Sequence, residues 1–213
     1  MIAPFDKIYF ISLTQTIGRR SAMIHYLQEI GLKDKHGNAP EFFAGSNGSV
    51  CPQSIDCTGR KTHVSRSEIG CYASHYKLWQ RISESDYETV LILEDDARFK
   101  PECLNIFFEW ETLPDWDYVN FSCNSYSGIP IEKKLVNEKL KLFSGFGFWL
   151  THAYAIKKSI APILLDKMKT QRGGLDWQLS QVQKDFKSFA FDGNPIFQKK
   201  IGPNPTTIKH TRI

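Results

Sequence analysis

Short apolar runs alternate along the chain with stretches in which apolar residues recur every three or four positions. The runs predict strands, and the longer spacing predicts amphipathic helices. The predicted strands span residues 7–13, 42–44, 90–93, 117–121, 139–142 and 153–156, and the predicted helices span 19–30, 65–82, 101–108, 157–168 and 176–186. The strand–helix–strand order at the N-terminus requires parallel strands, so the pattern predicts an α/β fold.

Individual residues mark several boundaries of these elements. Gly31 follows the first predicted helix, and glycine commonly ends a helix. Ser65 and Glu68 form a Ser-x-x-Glu capping box, which satisfies backbone amides at a helix start. The chain has no internal repeat and no low-complexity linker. We therefore expect one domain over residues 1–213, with an extended or loop-rich tail over 189–213.

The apolar run 90–93 ends at three consecutive acids, Glu94, Asp95 and Asp96. Because an unpaired buried carboxylate is costly, the acids must emerge at the C-terminal end of the strand, where open α/β sheets bind ligands. Strand alternation predicts Glu94 and Asp96 on one face and Asp95 on the other. Such an acid-x-acid pair suits Mg²⁺ or Mn²⁺. A strand end with solvated acids is the alternative.

The composition narrows the class of protein. The hydrophobic content of 41% in 213 residues is enough for a sizeable core. A net charge of +4 is too small to indicate nucleic acid, but it is compatible with an anionic substrate or an anionic membrane surface. Five cysteines without CxxC pairing predict neither a zinc site nor a disulfide framework.

The N-terminal segment predicts no signal peptide, because the apolar run 8–13 is too short to span a bilayer and lacks a basic region before it. We expect a cytoplasmic protein. Peripheral association with the inner face of the cytoplasmic membrane stays open, since the net charge is positive.

Four segments occur in a specific order and spacing. They are residues 8–13 followed by two arginines, Gly-Cys-Tyr-Ala-Ser-His at 70–75, Leu-Ile-Leu-Glu-Asp-Asp at 91–96, and Thr-His-Ala-Tyr-Ala-Ile at 151–156 before a helix. In this combination the chain resembles glycosyltransferase family 25 over residues 7–180. That family includes bacterial lipooligosaccharide galactosyltransferases and the domain that galactosylates collagen. The Gly-x-x-x-Ser-His segment is more specific than the acids alone.

The resemblance implies a GT-A type, Rossmann-like α/β fold with a mostly parallel central sheet flanked by helices. It implies an inverting transfer of a hexose, with galactose expected, from a UDP-sugar donor. The implied acceptor is an oligosaccharide or lipid-linked glycan in bacterial lipooligosaccharide, lipopolysaccharide or other surface glycan synthesis. It also implies a divalent metal, Mn²⁺ or Mg²⁺, and no nucleic-acid partner.

Several acids and histidines take metal or donor roles by this resemblance. Asp96 is the expected direct metal ligand with Glu94 beside it, so that the ion neutralises the leaving diphosphate. Asp95 is expected to reach the ribose or the donor sugar. GT-A enzymes often recruit a late histidine as a further ligand, and His210 is the first candidate here, before His152.

The remaining candidates lie elsewhere in the chain. Asp176 at a predicted helix start is the expected base for the acceptor hydroxyl, and a helix N-cap is the alternative. Arg19 and Arg20 follow the first strand, where they can bind phosphate; two cations at a helix start oppose the helix dipole unless an anion is bound. Ser74 and His75 are expected at the donor site, with a structural histidine as the alternative.

Two other functions stay open. A nucleotidyltransferase also combines a Rossmann-like sheet with metal-binding acids, but it normally has a glycine-rich loop after the first strand. Residues 14–20 contain one glycine, which argues against that function. A sugar- or nucleotide-binding module would bind UDP without turning over a UDP-sugar.

Overall fold

The computed structural model describes residues 1–49, 55–56, 64–123, 133–135 and 141–199. The strands are β1 (Lys7–Leu13), β2 (Glu41–Gly45), β3 (Thr89–Glu94), β4 (Ala97–Phe99), β5 (Tyr118–Asn120), β6 (Lys133–Leu135), β7 (Lys141–Ser144), β8 (Ala153–Lys157), β9 (Ser188–Phe191) and β10 (Ile196–Gln198). The α-helices are α1 (Ile17–Glu29), α2 (Arg66–Ser83), α3 (Glu102–Phe108), α4 (Ala161–Lys167) and α5 (Leu175–Val182). Short 3₁₀ turns span Trp110–Thr112, Lys158–Ile160 and Gln183–Asp185. Within the described ranges, no helix is both long and apolar enough to cross a lipid bilayer.

The central sheet has eight strands in the order β2-β1-β3-β8-β5-β9-β7-β6. β1 pairs in parallel with both β2 and β3, as the strand–helix–strand opening predicts. Following the pairings across the sheet, β2, β1, β3, β5, β9 and β6 run in one direction, and β8 and β7 run in the other. The predicted α/β class, with a mostly parallel central sheet and flanking helices, is confirmed.

Helices cover both faces of this sheet, because the buried side chains of β1 and β3 alternate between two apolar clusters. One cluster packs against α1 and α3 and contains, from these strands, Ile8, Phe10, Leu91 and Leu93. The other packs against α2, α4 and α5 and contains Tyr9, Ile11, Val90 and Ile92. The continuous apolar runs in the sequence therefore correspond to strands that are buried on both faces.

Helix α2 begins at the predicted capping box. Ser65 Oγ accepts a hydrogen bond from the Glu68 amide at 3.2 Å, and the Glu68 carboxylate accepts one from the Ser65 amide at 2.8 Å. The buried face of α2 carries Tyr72, Trp79 and Ile82 at helical spacing. This face fixes the helix on the sheet, and the polar side chains beside it are fixed with it.

A close backbone approach joins α2 to the segment after β2. A Cβ atom on Gly70 would lie 2.5 Å from the Ser46 carbonyl oxygen, so only glycine fits there. Ser74 Oγ donates to the Gly70 carbonyl at 2.6 Å and accepts from the Ser46 amide at 2.8 Å. The predicted donor-site residue Ser74 therefore holds α2 against the chain that leaves β2.

The tail, predicted as extended or loop-rich from residue 189, contains most of β9 and all of β10 in its described part. β9 lies inside the central sheet between β5 and β7, and β10 pairs antiparallel with β4, directly after the three acids. Both strands depend on partners far away in sequence, which local patterns do not show. Residues 200–213 lie outside the described ranges, so the prediction of one domain over 1–213 stays a prediction.

Candidate functional site

The three acids lie where β3 ends. Val90–Leu93 are fully buried, and Glu94 is the last residue of the strand, opposite Ile11 of β1 in parallel register. The acids therefore stand at the C-terminal edge shared by β1 and β3, the edge at which α/β sheets bind ligands. Asp95 is only 6% exposed and Asp96 only 7%, so the alternative of a solvated strand end is wrong.

Glu94 faces α2 and the segment before β8. Its Oε1 accepts a hydrogen bond from Thr151 Oγ1 at 3.0 Å and lies 3.4 Å from His75 Nε2. Burial by itself would raise the pKa of Glu94. The interactions of the carboxylate with His75, His152 and Thr151 outweigh that effect and hold the pKa of Glu94 below its usual value. The carboxylate is therefore an anion at neutral pH.

Asp95 links the C-terminal ends of β1 and β3, which are neighbours in the sheet. Ser12 Oγ at the end of β1 donates to Asp95 Oδ2 at 2.6 Å, and the Arg19 guanidinium donates to Asp95 Oδ1. Burial raises the pKa of Asp95, although these two donors oppose the shift. With both carboxylate oxygens engaged, Asp95 acts here as an organising group between β1, α1 and β3.

Asp96 is the least satisfied of the three acids. Its Oδ2 accepts from Gln198 Nε2 at 2.9 Å and from the Arg19 guanidinium at 3.3 Å. Its Oδ1 is buried and has no hydrogen-bond partner among the residues the structure describes. Burial, followed by the negative charge of Glu94, raises the pKa of Asp96 to about 6. A buried carboxylate oxygen with an unused lone pair suits a cation ligand.

The predicted alternation of the acids is wrong. Glu94 is the last strand residue, and residues 95–96 form a turn before β4. As a result, Asp95 and Asp96 both contact one guanidinium nitrogen of Arg19, whereas Glu94 contacts His75. Glu94 and Asp96 are left as the two oxygen ligands for a hard divalent ion, because both carboxylate oxygens of Asp95 are engaged.

The two predicted phosphate-binding arginines separate in the structure. Arg19 contacts Asp95 and Asp96, and its Nε is buried without a hydrogen-bond partner in the described part of the chain. Arg20 instead lies over the Phe42 ring, with its guanidinium carbon 4.9 Å from the ring centroid. The structure thus brings Arg19 to the acids and places Arg20 elsewhere on α1.

His75 is only 1% exposed and lies on the side of α2 that faces the acids. Its Nδ1 lies 2.8 Å from the Tyr154 hydroxyl, and the two rings stack with their centroids 5.6 Å apart. This contact fixes the imidazole so that Nε2 points toward Glu94. The predicted pair Ser74 and His75 is therefore divided: His75 reaches the acids, and Ser74 has the helix-anchoring contacts described above.

Asp176 is in the first turn of α5, and Gly174 is the N-cap, so the alternative of Asp176 as N-cap is wrong. Its Oδ1 accepts from the Trp177 amide at 2.8 Å. Burial raises the pKa of Asp176, and the charges of Glu94 and Glu68 raise it further. Asp176 therefore lies within electrostatic reach of the acid cluster, beside a Trp177 side chain that is 43% exposed.

The two histidines predicted as further metal ligands have different outcomes. His152 Nε2 lies 3.2 Å from the Ile196 carbonyl oxygen, and since a carbonyl only accepts, this nitrogen carries the proton. Burial lowers the pKa of His152. His210 lies outside the described residues, so its role stays a prediction.

The sequence missed four residues that complete the site. Ser12 stands at the end of β1, where its position could have indicated a contact with the neighbouring strand end. Cys71 is four residues before His75 on the same helix, which places both on one face. Thr151 and Gln198 reach Glu94 and Asp96 only through the tertiary fold, and no local pattern indicates them.

Comparisons with known proteins show which family this chain is similar to. The family model described as Glycosyltransferase family 25 (LPS biosynthesis protein) matches residues 5–179. A glycosyltransferase 25 family member of Aedes aegypti is 27% identical over 190 residues, covering 79% of this chain and 30% of that protein. Mouse procollagen galactosyltransferase 2 is 24% identical over 163 residues, covering 71% and 26%. This chain therefore spans about a third or less of such relatives.

Two further similarities complete the comparison. A human protein named inactive glycosyltransferase 25 family member 3 is 27% identical over 184 residues, covering 79% of this chain and 30% of that protein. The solved structure of a glycosyltransferase involved in the glycosylation of the major capsid of PBCV-1 covers 84% of this chain and 76% of that one. It aligns at 13% identity with a TM-score of 0.43.

Proposed function

Because this chain belongs to glycosyltransferase family 25, we propose that it transfers a hexose, galactose first among the candidates, from a UDP-sugar to a saccharide acceptor. The observation that carries the proposal is the group of acids at the shared C-terminal edge of β1 and β3, with one buried, unpartnered carboxylate oxygen on Asp96. A diphosphate donor needs a cation to neutralise its charge, and acids at such an edge are suited to hold one. The family match favours glycosyl transfer over nucleotidyl transfer.

The donor diphosphate would bind at Asp96, Glu94 and Arg19. Glu94 and Asp96 would hold Mn²⁺ or Mg²⁺, and the bound ion would act as a Lewis acid that neutralises the leaving diphosphate. Arg19 has a buried Nε without a partner among the described residues, so it retains a donor for a phosphate oxygen. Ser12 and Asp95 keep Arg19 at this edge through their mutual contacts.

The acceptor hydroxyl would lose its proton to Asp176. Inversion requires one in-line displacement at the anomeric carbon, with a base on the side of the acceptor. Burial raises the pKa of Asp176, which makes its carboxylate a stronger proton acceptor than an exposed aspartate. The exposed ring of Trp177 adds an apolar face on which a sugar ring can stack.

The proposal extends to the acceptor and the location. An oligosaccharide or lipid-linked glycan of surface polysaccharide synthesis, as in bacterial lipopolysaccharide, is the proposed acceptor, and the family description supports it. We propose a cytoplasmic location. The net charge of +4 supports peripheral contact with an anionic membrane face.

A second candidate function is donor binding without turnover. It is supported by the human relative named inactive, which is as similar to this chain as the mosquito relative is. In that case the acids and Arg19 would bind a UDP-sugar, while Asp176 would have no acceptor to deprotonate.

The two functions differ in one assay. The protein is incubated with UDP-galactose, UDP-glucose and their N-acetylated forms, with and without Mn²⁺, and released UDP is measured. Metal-stimulated release from one donor supports the transferase. Tight UDP binding without release from any donor, in the presence of an acceptor extract, supports the binding function. When a variant of a site acid is assayed, Asp166→Asn is the matched control, because it removes an exposed carboxylate that pairs with Lys169.

A further inference from the structure

Three potential metal ligands meet between α2 and the end of β3. Cys71 and His75 are four residues apart on α2, and Glu94 is the last residue of β3. Their Sγ, imidazole nitrogen and carboxylate oxygen all lie within 4.8 Å of one another. Residues at i and i+4 share one helix face, so the helix itself directs the thiol and the imidazole to the same point.

The imidazole of His75 supplies an independent sign of a ligand at this point. Its Nε2 is buried, has no hydrogen-bond partner among the described residues, and faces Glu94 Oε1 at 3.4 Å. The opposite nitrogen, Nδ1, is held by the Tyr154 hydroxyl, which Trp79 Nε1 also contacts at 3.0 Å. Ligating histidines are typically oriented in this way, with one nitrogen on a supporting group and the other on the metal.

Thr151 supports the carboxylate ligand. Its hydroxyl donates to Glu94 Oε1 at 3.0 Å. Cys71, in turn, is partly buried and free of any disulfide. His75 and Glu94 therefore each have a neighbour that orients them, which is typical of ligands in a built metal site.

We propose that Cys71, His75 and Glu94 bind one borderline divalent cation of the Zn²⁺ class. A sulfur, a nitrogen and a carboxylate oxygen form a donor set that binds Zn²⁺ in preference to Mg²⁺ or Mn²⁺. On binding, the thiol of Cys71 loses its proton to solvent and the resulting thiolate forms the metal–sulfur bond. The thiolate and the Glu94 carboxylate then balance the two positive charges of the ion.

This site goes beyond the proposed function and differs from the hard-ion position at Asp96. The two positions share Glu94 but differ in their other ligands. The zinc-class position uses the sulfur and nitrogen ligands on α2, and the hard-ion position uses the Asp96 oxygen on the turn between β3 and β4. Three protein ligands leave a fourth position of a tetrahedral ion open to water or to a substrate oxygen. The absence of CxxC pairs in the sequence therefore does not exclude a zinc-class site, since its sulfur ligand is paired with a histidine.

Cobalt substitution tests the site, because Co²⁺ bound to a thiolate gives a charge-transfer absorption band in the near ultraviolet. The full chain is used in a Cys51→Ser/Cys57→Ser background, which removes two further thiols. We expect the band to appear with one Co²⁺ per chain and to disappear when one equivalent of Zn²⁺ is added. We also expect Cys71→Ser and His75→Gln to lower Zn²⁺ affinity by more than about 100-fold, beyond the loss typical of a supporting residue.

The controls separate this site from general metal binding and from the transferase site. Cys103→Ala removes a thiol in the apolar cluster on the opposite face of the sheet and should leave the band unchanged. Glu94→Gln, with circular dichroism to verify folding, should weaken Zn²⁺ binding. The absence of the band, or its persistence in Cys71→Ser, would overturn the site. If the band is present but the protein shows no Mn²⁺-stimulated UDP release, the result counts against the proposed function alone.

Discussion

Ser12 Oγ donates a 2.6 Å hydrogen bond to Asp95 Oδ2, and this contact joins residues 83 positions apart in the sequence. The bond ties the end of β1 to the first residue after β3. Arg19, on the helix that follows β1, donates to the same carboxylate. The positive and negative groups at the proposed donor site are therefore held together by the protein's own contacts, which lowers the cost of ordering them on binding.

Arg19→Gln is expected to weaken UDP binding, and Arg20→Gln is not. Arg19 lies beside the acids, and its buried Nε has no hydrogen-bond partner among the described residues. Arg20 instead lies over the Phe42 ring. A charged hydrogen bond to phosphate contributes about 1.5–3 kcal/mol, so we expect a 10–100-fold rise in Kd, at about 1.4 kcal/mol per tenfold change. Isothermal titration calorimetry measures the Kd of UDP for both variants. Equal effects of the two substitutions would contradict the separation of the two arginines.

Asp96→Asn is expected to stabilise the fold above pH 6. Burial raises the pKa of Asp96 from 3.8 to about 6, so the folded state disfavours the charged form. A shift of that size corresponds to about 1–3 kcal/mol, at about 1.4 kcal/mol per pKa unit. Chemical denaturation at pH 8 measures the gain. Asp115→Asn is the control, because Lys157 and Lys187 lower the pKa of Asp115 to about 2 and the substitution should give no gain.

The gain from Asp96→Asn should also follow pH in a defined window. Below pH 3.8 the carboxyl group is protonated in both the folded and the unfolded chain, so wild type and variant should not differ through this charge. As pH rises from 3.8 to about 6, the unfolded chain ionises first, and the wild type loses stability relative to the variant. Above that window the difference should be constant. A difference that is already present at pH 3 would indicate a cause other than the buried charge.

Asp176→Asn is expected to lower kcat and leave UDP affinity unchanged. The amide cannot accept the proton of the acceptor hydroxyl, and general base catalysis contributes about 10²–10⁴-fold in rate. Initial rates with the active donor, together with UDP titrations, separate the two effects. A kcat within a factor of two to three of wild type would remove Asp176 as the base.

Gly70→Ala is expected to destabilise the fold, because its Cβ would lie 2.5 Å from the Ser46 carbonyl oxygen. Overpacking of this kind typically costs about 1–3 kcal/mol. Gly18→Ala on α1 is the matched control, since a Cβ there meets nothing within 4 Å, and it should stabilise by up to about 1 kcal/mol. Thermal unfolding of both variants measures the contrast. A neutral Gly70→Ala would mean that α2 and the chain after β2 can separate at no cost.

The sequence predicts those parts of the fold that depend on local signals. The apolar run before Glu94 predicts the buried strand β3, and the capping box of Ser65 and Glu68 predicts the start of α2. Gly31 has a φ of 61°, and it follows α1 as the sequence predicts. Each of these features depends on residues within a few positions of one another.

The remaining features depend on contacts between distant parts of the chain. β9 is placed by β5 and β7, and Gln198 reaches Asp96 across 102 residues. The predicted alternation of the acids was wrong for a related reason. β3 ends at Glu94, and after a turn the chain forms β4, which pairs with β10. Strand length is set by such pairing, which the acidic residues themselves do not encode.

The central claim is that Asp96 allows a divalent ion to bind the diphosphate of the donor. The direct test is the Kd of UDP with and without Mn²⁺, measured by calorimetry for wild type, Asp96→Asn and the surface control Asp115→Asn. The account predicts that Mn²⁺ tightens UDP binding by about tenfold or more, roughly 1.4 kcal/mol, in wild type and Asp115→Asn, and that this gain disappears in Asp96→Asn. An undiminished Mn²⁺ effect in Asp96→Asn would contradict it.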